Sequence, residues 1–466
     1  MKEATGSRLP VGTKLGYGAA EFANSLTWTM VFVIFLYFLT DIVGISPAFA
    51  GFILMIGRVW DAIVDPIVGV WSDGTTCRYG RRRPFILAVA VPFGIVTWLL
   101  FTQWDLSDTW TKVYYTIVGV SFFSLSTMLD VPHTALAAEM TQDYDERTSL
   151  VSYRAFFSQV SSIVASAVPW VLVAFLTGIF GSQELAWSLM TGAFGAISVL
   201  FILWTWRATR GYELFPGKTV VRLRDITRDV LRNRTFLFTV GVYTFSNVAL
   251  SLGATVMVYY MIYYLGFDDT QQSIAFLFLF ACTILWIPLV SLFSRKWGKR
   301  AAFVLFIGLW AVVQAVGGMV IKPGQQYLFY AMAALASGGV VCVTMLGWSM
   351  ILDVVEVDEF KTGQRREGLY FSLCAFARKV GVAASLWGAG IALELIGYVA
   401  DRPQLPTTIL GLRLLYALGT GAFLVGSIVM AWLLPMTKER HAALRTAIED
   451  KKSGNEYDES SIRMLL

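Results

Sequence analysis

The sequence predicts an all-α membrane protein with twelve transmembrane helices in two six-helix bundles and both termini cytoplasmic. Three observations predict it. The 466 residues are 56% hydrophobic, 15% aromatic and 15% charged, with mean hydropathy +0.62, whereas a water-facing domain carries about a quarter charged residues. Apolar stretches of about twenty residues recur along the chain, the length that crosses a ~30 Å hydrocarbon core. Finally, Lys and Arg collect on one side of those stretches. Together these exclude a large soluble protein. They also explain the net charge of +5 as topology, with no nucleic-acid partner implied. Cys77, Cys282, Cys342 and Cys374 follow no spacing pattern, so no disulfide or metal cluster is expected. Nor is a cleavable signal peptide, because the chain is polar up to about Lys14.

In chain order the apolar windows fall at about 17–40, 47–72, 84–102, 112–140, 149–178 and 186–206. The second series falls at about 235–264, 270–293, 301–321, 327–352, 367–398 and 408–435. This divides the chain into a first bundle over 1–206, a basic cytoplasmic linker over 207–234, a second bundle over 235–436 and a cytoplasmic tail over 437–466. With that alternation 29 of the 37 Lys and Arg share one side and only Lys112, Lys322 and Arg402 take the other. Positive charge stays cytoplasmic. The halves also echo each other: Arg78-Tyr79-Gly80-Arg81-Arg82 follows the second window, and Lys296-Trp297-Gly298-Lys299-Arg300 follows the eighth. Any cytoplasmic loop is basic, but a shared basic–aromatic–Gly–basic–basic order points to duplicated bundles, as carriers have.

Charges inside the windows mark function, since each costs roughly 2.5–3.5 kcal/mol at a helix centre. Arg58, Asp61 and Asp65 share one helix face by their spacing, so that face points inward, and Pro66 loosens the backbone beside it. Thr127 and Asp130 share a face of the fourth window, before Pro132. Carboxylates with a hydroxyl make a hard oxygen site for a small cation, and close carboxylates can instead hold a proton. Asp61, Asp65, Thr127 and Asp130 are therefore the candidate cation ligands, for Na⁺ or H⁺. A second polar group comprises Glu21, Asn24, Ser25 and Trp28, then Asp130, His133 and Thr134, Tyr153 and Arg154, and Arg378 and Lys379. Aromatic faces with carboxylates and guanidinium groups suit a sugar ring and its hydroxyls. Arg81, Arg82 and Arg83, with Asp73, Glu139 and Arg58, are the candidate gating charges. Glu394 and Arg413 have no assigned role. With two histidines and no nucleophile–base pair, metal cluster or phosphate loop, neither an enzyme nor a cofactor is expected.

The run Arg58-Val59-Trp60-Asp61-Ala62-Ile63-Val64-Asp65-Pro66 carries a resemblance. With Lys14–Gly18, Tyr37–Gly44, Arg78-Tyr79-Gly80-Arg81, Asp130-Val131-Pro132 and Arg378-Lys379, it resembles the glycoside–pentoside–hexuronide cation symporters. These are the melibiose-permease-like, sodium–galactoside group of the major facilitator superfamily. The resemblance implies that fold, a monomer in the cell inner membrane, and cation-coupled sugar uptake by alternating access. It implies cation ligands at Asp61, Asp65 and Thr127 (metal ligands if the ion is Na⁺), a sugar carboxylate at Asp130, and basic sugar contacts at Arg154 and Lys379. The chain departs from the group where a Lys–Asp pair of the first span reads Asn24 and Ser25, with Glu21 a turn earlier, and where a tryptophan reads Thr134. The cation half of the pattern is kept and the galactoside-reading half is altered. Arg154, Arg378, Lys379 and His133 would tolerate an anionic sugar such as a hexuronide. A carrier of a lipid-like or other amphipathic solute is the alternative, and a membrane enzyme a remote one.

Overall fold

Without water, each backbone N–H and C=O must find its partner within the segment, so apolar stretches fold as helices. The structure is a computed structural model and describes residues 9–75, 77–141, 143–212, 233–362, 367–400, 402–453 and 464. Most of the expected linker, 213–232, lies outside the described residues.

The first series of helices is α1 (Val11–Val33), α2 (Pro47–Gly74), α3 (Arg83–Leu100), α4 (Asp108–Met140), α5 (Tyr144–Phe180) and α6 (Gln183–Ala208). The second is α7 (Arg234–Tyr259), α8 (Asp269–Trp297), α9 (Lys299–Val320), α10 (Gln326–Lys361), α11 (Glu367–Leu395) and α12 (Pro406–Leu433). Among the described residues ten helices are long and apolar enough to cross a membrane. They become eleven when Val11–Val33 and Phe35–Ile42, bent by 54° to each other, are counted as one span. α2, which carries Arg58, Asp61, Asp65 and Asp73, is not among them. Helix ends follow local chemistry: Asp143, Ser182 and Asn233 each accept from a backbone N–H three residues on, the usual N-cap arrangement.

Two units result. One holds Met1–Val220, Asp268–Phe276 and Leu386–Arg402; the other holds Val221–Phe267, Leu277–Ser385 and Pro403–Leu466. In the first, α1 packs on α5 and α6, α2 on α4, and α3 on α4 and α6. In the second, α7 packs on α12, and α9 on α10 and α12. The pairings α1–α6, α3–α4 and α3–α6 thus reappear as α7–α12, α9–α10 and α9–α12.

The repeat extends to backbone detail. α1 and α7 both run into π-helical turns, Phe38–Ile42 and Tyr260–Leu265. Gly44 and Gly266 follow them with φ of 83° and 69°. In the matched basic loops, Gly80 and Gly298 take φ of 92° and 87°. That region excludes side chains at low cost, which accounts for glycine at the centre of both motifs. The wide turns Cys342–Leu346 in α10 and Leu415–Gly419 in α12 are found in the second series alone among the described helices.

One element was not foreseen from the sequence. The charged tail folds as a helix, α13 (Lys438–Ser453). Its Leu444, Ala447 and Ile448 join the core around Val357 and Phe360, while His441 Nε2 lies 2.9 Å from Glu356 Oε2. Three buried apolar side chains three and four residues apart were hidden by the surrounding charge.

Candidate functional site

Asp61 and Asp65 lie one turn apart on α2, with Arg58 a turn before them. The α2–α4 contact is close: a Cβ on Gly57 would sit 2.1 Å from the Phe123 ring. At that depth Thr127 Oγ1 donates to Asp61 Oδ1 at 2.6 Å and lies 3.2 Å from Asp65 Oδ1. One hydroxyl proton serves one carboxylate at a time, and its lone pairs stay available to a cation. Arg58 Nη1 donates to Asp61 Oδ2 at 3.3 Å. Its guanidinium rests over Trp28, 4.2 Å from the ring centroid, and over Phe32 at 5.4 Å, where the aromatic faces favour positive charge. Arg58, Asp61 and Thr127 are buried and Asp65 half-buried. These four side chains bring two carboxylates, one guanidinium and one hydroxyl together. Among the described residues no cluster of three or more His, Cys, Asp or Glu is placed for a metal; a cation here would rely on carboxylate and hydroxyl oxygens.

A second network adjoins the first through α1 and α4. Arg154 of α5 donates from Nε to Glu21 Oε2 at 2.5 Å, from Nη2 to Asp130 Oδ1 at 2.6 Å and from Nη1 to Thr134 Oγ1 at 2.5 Å. Ser25 Oγ donates to Glu21 Oε1 at 2.8 Å and lies 2.8 Å from Ser158 Oγ. The fork of a guanidinium suits two carboxylates on different helices. Glu21 is buried, whereas the Asp130 side chain is 42% exposed. Asp130 is thus engaged by Arg154; the Thr127 hydroxyl goes to Asp61 and Asp65. Between the networks, Trp28 Nε1 donates to Ser126 Oγ at 2.5 Å, and Ser126 Oγ donates to Asn24 Oδ1 at 2.7 Å.

His133 packs against Tyr17. It is buried, its ring tilted by 34° to that of Tyr17 at 4.6 Å between centroids, and the Tyr17 carbonyl oxygen lies 2.7 Å from its Nε2. Tyr153 meets Gly18 through its backbone, where a Cβ would come within 3.0 Å of the Tyr153 carbonyl. Arg378 and Lys379 belong to α11 in the second unit, Lys379 buried and Arg378 half-buried.

Of the gating candidates, Arg81, Arg82, Asp73 and Glu139 cluster where α2 and α4 end and α3 begins, whereas Arg58 lies at Asp61. Arg81 and Arg82 both contact buried Glu139, Arg82 Nε at 3.1 Å, and Arg82 also reaches Ser72 and Asp73. Arg83 instead donates to the Trp206 carbonyl at 2.6 Å and lies over its ring. In the second unit Lys299 pairs with Asp353 at 2.6 Å. Glu394, given no role from the sequence, accepts from Ala48 N at 3.2 Å at the start of α2. Ser126, Ser158 and Phe32 escaped sequence reasoning because serines and phenylalanines are common in apolar helices, and no spacing separates these from the rest.

Ten or eleven membrane-length helices among the described residues, with ion-paired carboxylates buried in the first unit, define a multi-pass membrane protein. The chain belongs to the family described as MFS/sugar transport protein, which matches residues 16–438, and so to the melibiose-permease-like branch of the major facilitator superfamily, transporters and not enzymes. Among curated relatives, an uncharacterized symporter of Synechocystis is 29% identical, over 96% of this chain and 98% of its own. A glucuronide carrier protein homolog of Escherichia coli is 27% identical over 94% and 96%. The crystal structure of the nucleoside transporter NupG superposes with a TM-score of 0.66 at 13% identity, covering 91% of this chain and 98% of that one, which shows the fold.

Proposed function

We propose that this protein is a secondary active symporter that moves a sugar, glycoside or hexuronide with Na⁺ or H⁺ by alternating access. It has twelve spans and cytoplasmic termini in a cell inner membrane, acts as a monomer, and its bundles are residues 1–206 and 235–436. The observation that carries this reading is the Thr127 hydroxyl held between Asp61 and Asp65, beside the Arg58 guanidinium. Coupling needs only that cation and solute favour the same state, and it is reciprocal. Cation binding draws on the oxygens of Asp61, Asp65 and Thr127; through the α2–α4 contact it fixes α4 and so the position of Asp130, which with Arg154, Glu21, Asn24 and Trp28 faces the solute. Arg378 and Lys379 are further candidate contacts for an anionic solute. The names of the symporter and glucuronide-carrier relatives support a cation-coupled, sugar-like solute, anionic sugars included.

The test is uptake into membrane vesicles by a panel of glycosides, hexuronides and lysolipids, with and without a sodium gradient at fixed pH. Gradient-stimulated uptake of a sugar-like solute is expected. Asp61→Asn and Asp65→Asn should each abolish the stimulation while leaving solute binding measurable. Unchanged cation dependence in both variants would refute the site; stimulation by lysolipids alone would refute the solute class.

A further inference from the structure

Where α9 begins and α12 ends, cations and tryptophans converge in the second unit. The chain turns at Gly298, whose positive φ brings Lys299 and Arg300 back onto the helix ends. A groove of about 510 Å³ opens there, lined chiefly by Trp297, Arg300, Val304, Leu305, Trp432 and Lys438. Its two ends differ chemically. Along the apolar end, Trp297, Leu305 and Trp432 are 51%, 49% and 69% exposed, and indole rings left open in this way favour the headgroup level of a bilayer.

At the polar end the cations lean on main-chain carbonyls. Arg300 Nη1 donates to the Leu434 carbonyl at 2.8 Å, and Nη2 donates to the Trp432 carbonyl. Lys438 Nζ donates to the carbonyls of Arg295 at 2.8 Å and Lys296 at 3.3 Å. Nearby, Arg440 Nη1 donates to the Pro435 carbonyl at 2.8 Å. A carbonyl accepts the hydrogen bond and leaves the formal charge in place. Lys299 offers the contrast, since its charge is met by Asp353. Glu439 is the acidic residue among those lining the groove, set against Arg300 and Lys438.

We propose that this groove binds one anionic phospholipid, its phosphate between Arg300 and Lys438 and an acyl chain along Val304 and Leu305 beside Trp432. Basic pockets at the boundary of a helical bundle select anionic headgroups. A zwitterionic lipid fits less well, because its own cation meets Arg300 and Lys438.

The test is native mass spectrometry of the full-length protein, delipidated and then offered phosphatidylglycerol or phosphatidylcholine. The wild type should retain phosphatidylglycerol preferentially. Lys438→Gln and Arg300→Gln should each weaken that retention about fivefold, as expected for losing one cation beside an anionic headgroup. Arg300→Lys should keep most of it, and Lys322→Gln, in the turn after α9, should change nothing. Monodispersity and the far-UV spectrum of each variant separate a binding loss from a folding loss, and Lys438→Gln alone suffices if Arg300→Gln misfolds. Equal retention of both lipids, an equal loss in Lys322→Gln, or full displacement by inorganic phosphate would overturn the proposal.

Discussion

Replacing Thr127 by alanine removes the one hydroxyl that lies between the two α2 carboxylates. The lost contacts are 2.6 Å to Asp61 and 3.2 Å to Asp65, but a single proton makes only one strong bond at a time, so one charge-assisted hydrogen bond is counted. Such a bond contributes about 1.5–3 kcal/mol when a charged group is involved. The same oxygen is also a neutral ligand for the incoming cation. Without it the carboxylates repel each other more and the cation loses one donor, so the bound state loses about that energy. At 1.4 kcal/mol per factor of ten, the cation concentration giving half-maximal solute uptake should rise roughly 10- to 150-fold. The assay is a cation titration of uptake in vesicles, paired with calorimetric cation binding in the absence of solute. Thr127→Ser restores the oxygen and should stay within a few-fold of wild type. If Thr127→Ala titrates within twofold of wild type in both assays, the hydroxyl is no ligand and the assignment of this cluster fails.

Two further outcomes follow from the geometry. Arg154→Gln strands buried Glu21; breaking a buried pair costs about 3–5 kcal/mol, and the exposure of Asp130 puts the expected loss at the lower end, about 3 kcal/mol. The melting temperature in detergent should fall, and Glu21→Gln in the same chain should recover part of it; no recovery would contradict the ion-pair account. Gly390→Ala should be as damaging as a core insertion, about 1–3 kcal/mol, because its Cβ would fall 2.1 Å from the Pro47 carbonyl oxygen. A melting temperature and uptake rate equal to wild type would show that α2 and α11 do not meet there.

Much of this was legible in the chain because the bilayer leaves few choices. Apolar length yields helices, and the spacing of Arg58, Asp61 and Asp65 puts them on one face. The positive φ of Gly80 and Gly298 explains why two loops with the same basic–aromatic–Gly order take the same turn. Side-chain partners were less legible. Asp130 stood equally well with the cation ligands or the solute ligands by spacing, and only the structure shows that its carboxylate meets Arg154 from α5. His133 lies three residues from Asp130, yet the rotation of α4 turns it onto Tyr17.

By itself the sequence determined a helical, multi-pass chain of duplicated organisation with charge buried on its second helix, because period, length and the cost of charge in lipid are local properties. The tertiary structure alone decided which carboxylate each arginine and hydroxyl meets, and that the charged tail folds as a helix against α10. Those outcomes depend on how adjoining helices rotate and how closely glycines let them approach, and no periodicity along one segment encodes the rotation of its neighbour.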